Sequence, residues 1–222
     1  MEIQGAIFDC DGTLIGSLGF WDVFYEKTGE RYFGDKEFRP RSEDDKAMRT
    51  QTVGFLSELL HEKYGIAQSA KELYDWFFEL NVWYYNEVVE LKAGVRELLS
   101  HLAGKGIKMC IASAAEPELT RMVLKRHGLL DYFEGLVSCR EVGAGKDKPD
   151  VFLAAEKFLG TPHATTWVFE DSTLAIETAK RAGFCVVGVY DALTFGQDRA
   201  RELSDEYIDD GGSFVELIPK IQ

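Results

Sequence analysis

The sequence lacks a long apolar run and an excess of basic residues. No run of apolar residues approaches the roughly 18 that a membrane-spanning helix needs, so we expect no membrane partner. The 222 residues include 38 Asp and Glu against 25 Lys and Arg, a formal net charge of −13. This charge would repel a phosphate backbone, so we also expect no nucleic-acid partner.

Cysteine is scarce, and its spacing shows no pairing motif. The chain has four cysteines, and no two of them form a CxxC pair. No signal-peptide pattern precedes the first apolar run, so we expect free, buried thiols in a reducing cytoplasm. The hydrophobic content of 45% is enough for a packed core in one large or two modest domains.

The clearest signal is the segment 9–13, DCDGT, which directly follows the apolar run 3–8. The run predicts a buried strand, and Gly12 predicts the turn that ends it. Side chains alternate along a strand, so we expect Asp9 and Asp11 to point the same way. Two like charges at close range are unfavourable unless a cation or a proton lies between them, and a hard divalent ion such as Mg²⁺ would explain the arrangement.

Predicted strands alternate with predicted helices in the second part of the chain. Short apolar runs predict strands over residues 107–112, 135–139, 166–169 and 185–190, with a weaker strand at 207–208. Helical patterns with glycine stops occupy residues 94–103, 117–127, 150–159 and 173–182. The alternation predicts an α/β fold with a parallel sheet covered on both faces.

The stretch between the first strand and this alternating region is different. Residues 18–25, 50–64 and 70–89 are predicted to be helical, and the last of them is crowded with aromatic side chains that we expect to form a helix-bundle core. We therefore predict a core domain of residues 1–15 and 92–222, with a helical insert of residues 16–91.

Further polar residues fall at three places where predicted strands or loops reach the same edge of the sheet. Ser113 ends the second strand of the predicted sheet, and Glu170 and Asp171 end the fourth. Lys146 and Lys148 lie in a loop before a helix. Open α/β sheets bind their ligands at the carboxyl ends of the strands, so carboxylates, a hydroxyl and an ammonium there indicate a metal-assisted phosphate site.

These segments resemble the haloacid dehalogenase superfamily on its phosphatase side. Segments 9–13, 111–113, 146–150 and 169–172 match its four signature motifs in order, and the helical insert is similar to the C1 cap of the β-phosphoglucomutase-like branch. The resemblance implies a Rossmann-like core with an α-helical cap, and a Mg²⁺-dependent phosphomonoester hydrolase acting on a small phosphorylated metabolite.

The resemblance also implies the roles of individual residues. Asp9 matches the nucleophile that forms an aspartyl-phosphate, and Asp11 matches the general acid and base. The metal would be held by Asp9, the backbone carbonyl of Asp11 and Asp171, with Glu170 acting through a water. The implied substrate contacts are made by Thr13, Ser113, Ala114 and Lys146. Lys146 stands four residues before Asp150, as the catalytic lysine does in this branch, and Lys148 is kept as the second choice.

Other functions remain open from the sequence. A mutase of the same branch is one, although Trp21 stands where mutases carry a histidine. A phosphonate hydrolase would need a cap lysine, and a phospho-acceptor module would carry its aspartate on a middle strand. A dehalogenase would lack Asp11.

The sequence does not identify the substrate. The four histidines match no catalytic position of the family, and we expect a monomer or a weak homodimer. The candidates to bind a second anionic group are Arg39, Arg41 and Arg49.

Overall fold

The computed structural model describes residues 1–50 and 52–221. Its contacts divide the chain into a sheet unit, Met1–Leu18 with Val89–Gln222, and a helical unit, Gly19–Val88. The helical unit is three residues shorter at each end than the predicted insert of residues 16–91. The Gly16 N–H donates to the carbonyl of Glu90 at 3.0 Å and Ile15 pairs with Leu91, so these residues belong to the sheet unit. The interpretation of these units as a core and a cap stays a prediction.

The regular elements alternate as predicted after the helical unit. The strands are β1 (Gly5–Phe8), β2 (Lys108–Ser113), β3 (Gly135–Ser138), β4 (Thr166–Glu170), β5 (Cys185–Val189) and β6 (Glu206–Ile208). The helices are α1 (Phe20–Phe33), α2 (Ser42–Thr50), α3 (Val53–Tyr64), α4 (Ala70–Trp83), α5 (Val95–Gly104), α6 (Pro117–Arg126), α7 (Cys139–Val142), α8 (Asp150–Leu159), α9 (Thr173–Arg181) and α10 (Gln197–Leu203). A five-residue π-helical segment, Tyr84–Val88, follows α4, and short 3₁₀ segments lie at Leu130–Tyr132, His163–Thr165 and Phe214–Lys220.

The six strands form one parallel sheet in the order β3-β2-β1-β4-β5-β6. All four residues of β1 are buried, as expected for a central strand covered on both faces. Ile7 belongs to the apolar cluster built with α8, α9 and α10, while Phe8, on the opposite face, stacks on Phe169 with ring centroids 4.2 Å apart. The α/β fold with a parallel sheet is therefore confirmed.

The helical unit has its own aromatic core. Phe77 of α4 contacts Phe20 and Phe24 of α1, each with ring centroids 5.2 Å apart. The predicted aromatic core is wrong for two members, since Tyr74 and Trp83 are 41% and 39% exposed. They lie off the face of the helix that carries Leu73, Phe77 and Leu80 into the core.

Some predicted details needed correction. β1 begins at Gly5 rather than residue 3, and α2, α7 and α10 had not been predicted. All four cysteines are free, but only Cys10 and Cys110 are buried; Cys139, the first residue of α7, and Cys185, the first residue of β5, are half-buried. None of the helices that the structure describes has the length and apolar character to cross a membrane.

Candidate active site

The polar positions predicted from strand ends do lie along one edge of the sheet. Asp9 directly follows β1, Ser113 closes β2, and Glu170 closes β4. β1 pairs with β2 on one side and β4 on the other, so the chain order reverses across it. Such a switch point leaves a crevice at the carboxyl ends of the strands, where open α/β sheets bind ligands.

Three buried carboxylates come together at this crevice. Asp9, Glu170 and Asp171 each present a carboxylate oxygen within 4.8 Å of the others. Their exposures are only 6%, 1% and 4%. The backbone fixes the arrangement, because Asp9 N–H donates to the carbonyl of Phe169 at 2.9 Å and so joins the first acidic segment to the second.

Lys146 is the cation that partners this acidic cluster. Its Nζ donates to Asp9 Oδ1 and, at 2.5 Å, to Glu170 Oε1, and its side chain is 11% exposed. The loop between α7 and α8 carries it to the site, while Lys148, two residues later, is exposed. The structure therefore brings Lys146, and not Lys148, to the acidic cluster. Its catalytic role stays a prediction.

The charges in the cluster perturb one another. Burial raises the pKa of Glu170 to about 7, opposed by Lys146 and reinforced by Asp9. Burial, followed by the charges of Glu170 and Asp9, raises the pKa of Asp171 well above its usual range. Burial by itself would lower the pKa of Lys146, but the attraction of Asp9 and Glu170 outweighs it and raises that pKa. The acidic cluster thus has more negative than positive charge.

Asp11 lies beyond the strand that the alternation argument assumes. β1 ends at Phe8, and the following residues form a tight turn in which Gly12 has φ +82°. Asp11 Oδ1 accepts a hydrogen bond from Ser17 Oγ at 2.6 Å, and its carboxylate is not a member of the acidic cluster. The alternation argument therefore does not apply to Asp9 and Asp11, and the directions of their side chains stay a prediction.

Thr13 makes a contact with a member of the acidic cluster. Its side chain is fully buried, and its Oγ1 donates to Asp171 Oδ1 at 2.9 Å. The hydroxyl thus donates its proton to the acidic cluster, and the predicted contact of Thr13 with a substrate stays a prediction. A second hydroxyl, from Thr194, donates to Asp171 Oδ2 at 2.6 Å. The sequence analysis missed Thr194, which lies in a loop without a recognisable motif.

Ser113 and Ala114 mark the end of β2 at the same edge. Ser113 is 1% exposed, and its Oγ accepts a hydrogen bond from Ala115 N–H at 3.0 Å. Ala114 is exposed. The turn after β2 is therefore held by the serine side chain, and the predicted contact of these two residues with a phosphoryl group stays a prediction.

The donor set fits a hard divalent cation. The acidic cluster offers only oxygen ligands, the type that Mg²⁺ prefers. Its three carboxylates and one ammonium leave two formal negative charges, which a divalent ion would neutralise. The raised pKa values of Glu170 and Asp171 show the cost of leaving this charge uncompensated.

The remaining candidates are not members of the acidic cluster. The four histidines are not among its members: His61, His127 and His163 contact backbone carbonyls, and Nε2 of His101 is buried with no hydrogen-bond partner in the described part of the chain. Within the helical unit, Arg49 pairs with Asp45 at 2.7 Å and lies over the ring of Trp21. Arg39 and Arg41 are exposed.

Comparisons with known proteins agree with this geometry. A phosphorylated carbohydrates phosphatase of Thermotoga maritima is 27% identical over 200 residues, covering 88% of this chain and 89% of that protein. A (DL)-glycerol-3-phosphatase of Arabidopsis thaliana is 30% identical over 203 residues, covering 86% of this chain and 65% of that protein. A crystal structure of a candidate β-phosphoglucomutase from Thermotoga maritima is 25% identical, with a TM-score of 0.81 over 98% of this chain and 97% of that one.

The family model for haloacid dehalogenase-like hydrolases matches residues 3–183. This range includes all the strands from β1 to β4 and every member of the acidic cluster. The match covers well over half of the chain, so the protein is a hydrolase of the haloacid dehalogenase-like family, and its relatives place it on the phosphatase side.

Proposed function

We propose that the protein is a Mg²⁺-dependent phosphomonoesterase that acts through an aspartyl-phosphate on Asp9. The observation that carries the proposal is the buried acidic cluster with Lys146 bound to two of its members. A structural salt-bridge network would balance its charges internally, and this one retains two negative charges at a ligand-binding edge of the sheet.

Asp9 and Asp171 would hold the metal directly, together with the backbone carbonyl of Asp11, and Glu170 would act through a water. When bound, Mg²⁺ supplies positive charge that orients the phosphoryl group and reduces its repulsion by the carboxylates. Lys146 adds a fixed positive charge beside Asp9, where charge develops on the transferred phosphoryl oxygens.

The reaction has two balanced steps. A carboxylate oxygen of Asp9 attacks phosphorus as the ester P–O bond breaks, and Asp11 gives its proton to the leaving oxygen. Asp11 then takes a proton from water, whose oxygen attacks phosphorus and releases inorganic phosphate from Asp9. The hydrogen bond from Ser17 orients the Asp11 carboxyl at the start of this cycle.

The substrate class that we propose is a small phosphorylated carbohydrate or polyol. The names of the Thermotoga and Arabidopsis relatives support this class, because both refer to phosphate esters of small hydroxylated compounds. We assign selection among substrates to the segment 16–91, and Arg39, Arg41 and Arg49 remain the candidates for a second anionic group. We also propose a cytoplasmic enzyme that is a monomer or a weak homodimer, which size-exclusion chromatography would test.

The test is release of inorganic phosphate from a panel of sugar monophosphates, sugar bisphosphates and glycerol phosphates. We expect repeated turnover with Mg²⁺, loss of turnover in EDTA and recovery when Mg²⁺ is restored. A phospho-acceptor module would stop after one equivalent of phosphate. A mutase would convert a hexose phosphate into its isomer with little phosphate release, which product analysis would detect.

The proposed nucleophile gives the largest expected effect. Replacing Asp9 with asparagine, D9N, removes the attacking carboxylate and should lower phosphate release by about 10⁴-fold or more. The matched control is D131N, at an exposed aspartate outside the acidic cluster. Circular dichroism would show that both variants are folded, and release by folded D9N at the wild-type rate would refute the assignment.

A further inference from the structure

The loop that follows β5 reaches the acidic cluster from a part of the chain with no signature motif. β4 and β5 are neighbouring parallel strands, so the residues after their carboxyl ends meet at the same edge. Asp171 follows β4, and residues 190–196 connect β5 to α10. Within this loop Thr194 Oγ1 donates to Asp171 Oδ2 at 2.6 Å.

The orientation of Thr194 is unusual for a residue in a surface loop. Its neighbours Leu193 and Phe195 are 44% and 79% exposed, whereas Thr194 is half-buried with its hydroxyl on Asp171. A solvated loop would turn its polar side chain outward and its apolar side chains inward. The reverse arrangement leaves apolar area in water and places one hydroxyl on a buried carboxylate.

The loop is anchored at both ends, so the hydroxyl has a defined position. Lys92 Nζ donates to the carbonyl of Tyr190 at 2.7 Å and pairs with Asp191 at 2.9 Å. At the other end, Thr173 Oγ1 lies 2.8 Å from the carbonyl oxygen of Phe195 and 3.0 Å from that of Gly196. These contacts hold the segment against the start of α9, two residues after Asp171.

The Asp171 carboxylate is thereby held from three directions. Thr13 donates to Oδ1 and Thr194 donates to Oδ2. The backbone of Gly12 closes the third side, since a Cβ added there would lie 2.5 Å from Oδ2. Each carboxylate oxygen has two lone pairs, so an oxygen that accepts one hydroxyl keeps a lone pair for a metal.

We infer that Thr194 is a positioning residue for the metal ligand Asp171. Its hydroxyl fixes the rotation of the carboxylate so that a free lone pair faces Asp9, and it stabilises the charged form by donating a hydrogen bond. The inference rests on the proposed function, because it assumes that Asp171 binds the ion. It adds a contact from outside the four signature segments.

The test compares two substitutions that differ by one hydroxyl. T194V removes the hydroxyl and keeps the branched shape, while T194S keeps the hydroxyl. Mg²⁺ affinity would be measured by calorimetry on the metal-free proteins, and kcat and KM would be measured at saturating Mg²⁺. Loss of an outer hydrogen bond to a metal ligand lowers affinity by about 10- to 100-fold, and because Thr13 remains we expect about 10-fold for T194V. T194S should bind Mg²⁺ within about 3-fold of wild type, since it can make the same hydrogen bond.

A purely structural role of Thr194 would give a different pattern. It would lower the unfolding temperature in EDTA and affect kcat at saturating Mg²⁺ as much as the metal affinity. Wild-type or tighter Mg²⁺ binding by T194V, or equal weakening in T194V and T194S, would overturn the inference while leaving the phosphatase proposal intact. Failure of the wild-type protein to bind Mg²⁺ would overturn both.

Discussion

Two buried carboxylates, one in each unit, differ in how their charge is compensated. In the helical unit, Asp44 is 6% exposed and accepts hydrogen bonds from Lys63 at 2.6 Å and Tyr64 at 2.5 Å. The hydrogen bond from Lys63, followed by that from Tyr64, lowers the pKa of Asp44. Its charge is satisfied by its own neighbours.

Asp171 in the sheet unit is buried to a similar degree, but it is grouped with two other carboxylates, those of Asp9 and Glu170. Burial and the charges of Glu170 and Asp9 raise its pKa, and the two threonine hydroxyls only partly oppose this. A carboxylate that its neighbours neutralise is explained by the fold alone. A group of carboxylates that raise one another's pKa takes up a proton or a cation from solution, and this separates a structural acid from a candidate functional one.

The largest effect on activity that this comparison predicts is at Lys146, the cation that pairs with the acidic cluster. Removing its charge with K146A should lower kcat by about 10²- to 10³-fold, the usual loss when one electrostatic contact to the transition state is removed. K148A is the matched control, because Lys148 is in the same loop and is exposed. We expect it to retain kcat within about 2-fold, in line with the small effects of exposed charges.

Phosphate release at saturating Mg²⁺ would measure both lysine variants, and circular dichroism would monitor folding. Equal losses in K146A and K148A would contradict the assignment of Lys146. A greater loss in K148A would transfer the role to Lys148, which the sequence alone had kept as the alternative.

The sequence predicted the parts of the fold that carry a strong periodic pattern. Helix α8 was predicted to the residue, since its apolar positions repeat at helical spacing between Pro149 and Gly160. Helix α2 was missed because its sequence SEDDKAMRT contains only two apolar residues, and α10, QDRAREL, has the same weakness. These helices are too polar for periodicity to reveal.

Part of the candidate site was also predictable, because some of its residues lie at the ends of strands that the apolar pattern predicts. Asp9, Glu170 and Asp171 lie at or just after the ends of apolar strands, so strand order brings them together. The choice of Lys146 over Lys148 needed a loop conformation that the spacing alone did not fix. Thr194 could not be predicted, because its contact with Asp171 depends on tertiary packing between residues 23 positions apart.

The two carboxylates should respond with opposite signs when their charge is removed. D171N eliminates an uncompensated buried charge and should raise the free energy of unfolding of the metal-free protein at pH 8. It should also abolish stabilisation by Mg²⁺. D44N breaks an ion pair that its neighbours already balance, so it should lower the stability whether or not Mg²⁺ is present.

Urea unfolding in EDTA and in Mg²⁺ would measure both effects. A D171N protein that is less stable than wild type in EDTA would show that the Asp171 charge is compensated after all. The distinction between the two units would then fail.

The smallest predicted effect is the contribution of Glu170 to the pH dependence of the free energy of unfolding. Its pKa is raised from 4.5 to about 7 in the folded protein, so the folded state holds this proton more tightly than the unfolded state. This contribution to the free energy of unfolding is fully present below about pH 4.5 and is lost as pH rises through 7. The loss amounts to about 1 kcal/mol between pH 6 and pH 8.

Other groups also titrate, so the measured quantity is the difference between wild type and E170Q in EDTA. Saturating Mg²⁺ should remove this slope, because the ion favours the charged carboxylates, and its stabilising effect should therefore be greater at pH 8 than at pH 6. Mg²⁺ stabilisation that is equal at the two pH values, or a wild-type curve parallel to that of E170Q in EDTA, would contradict the uncompensated charge that the acidic cluster shows.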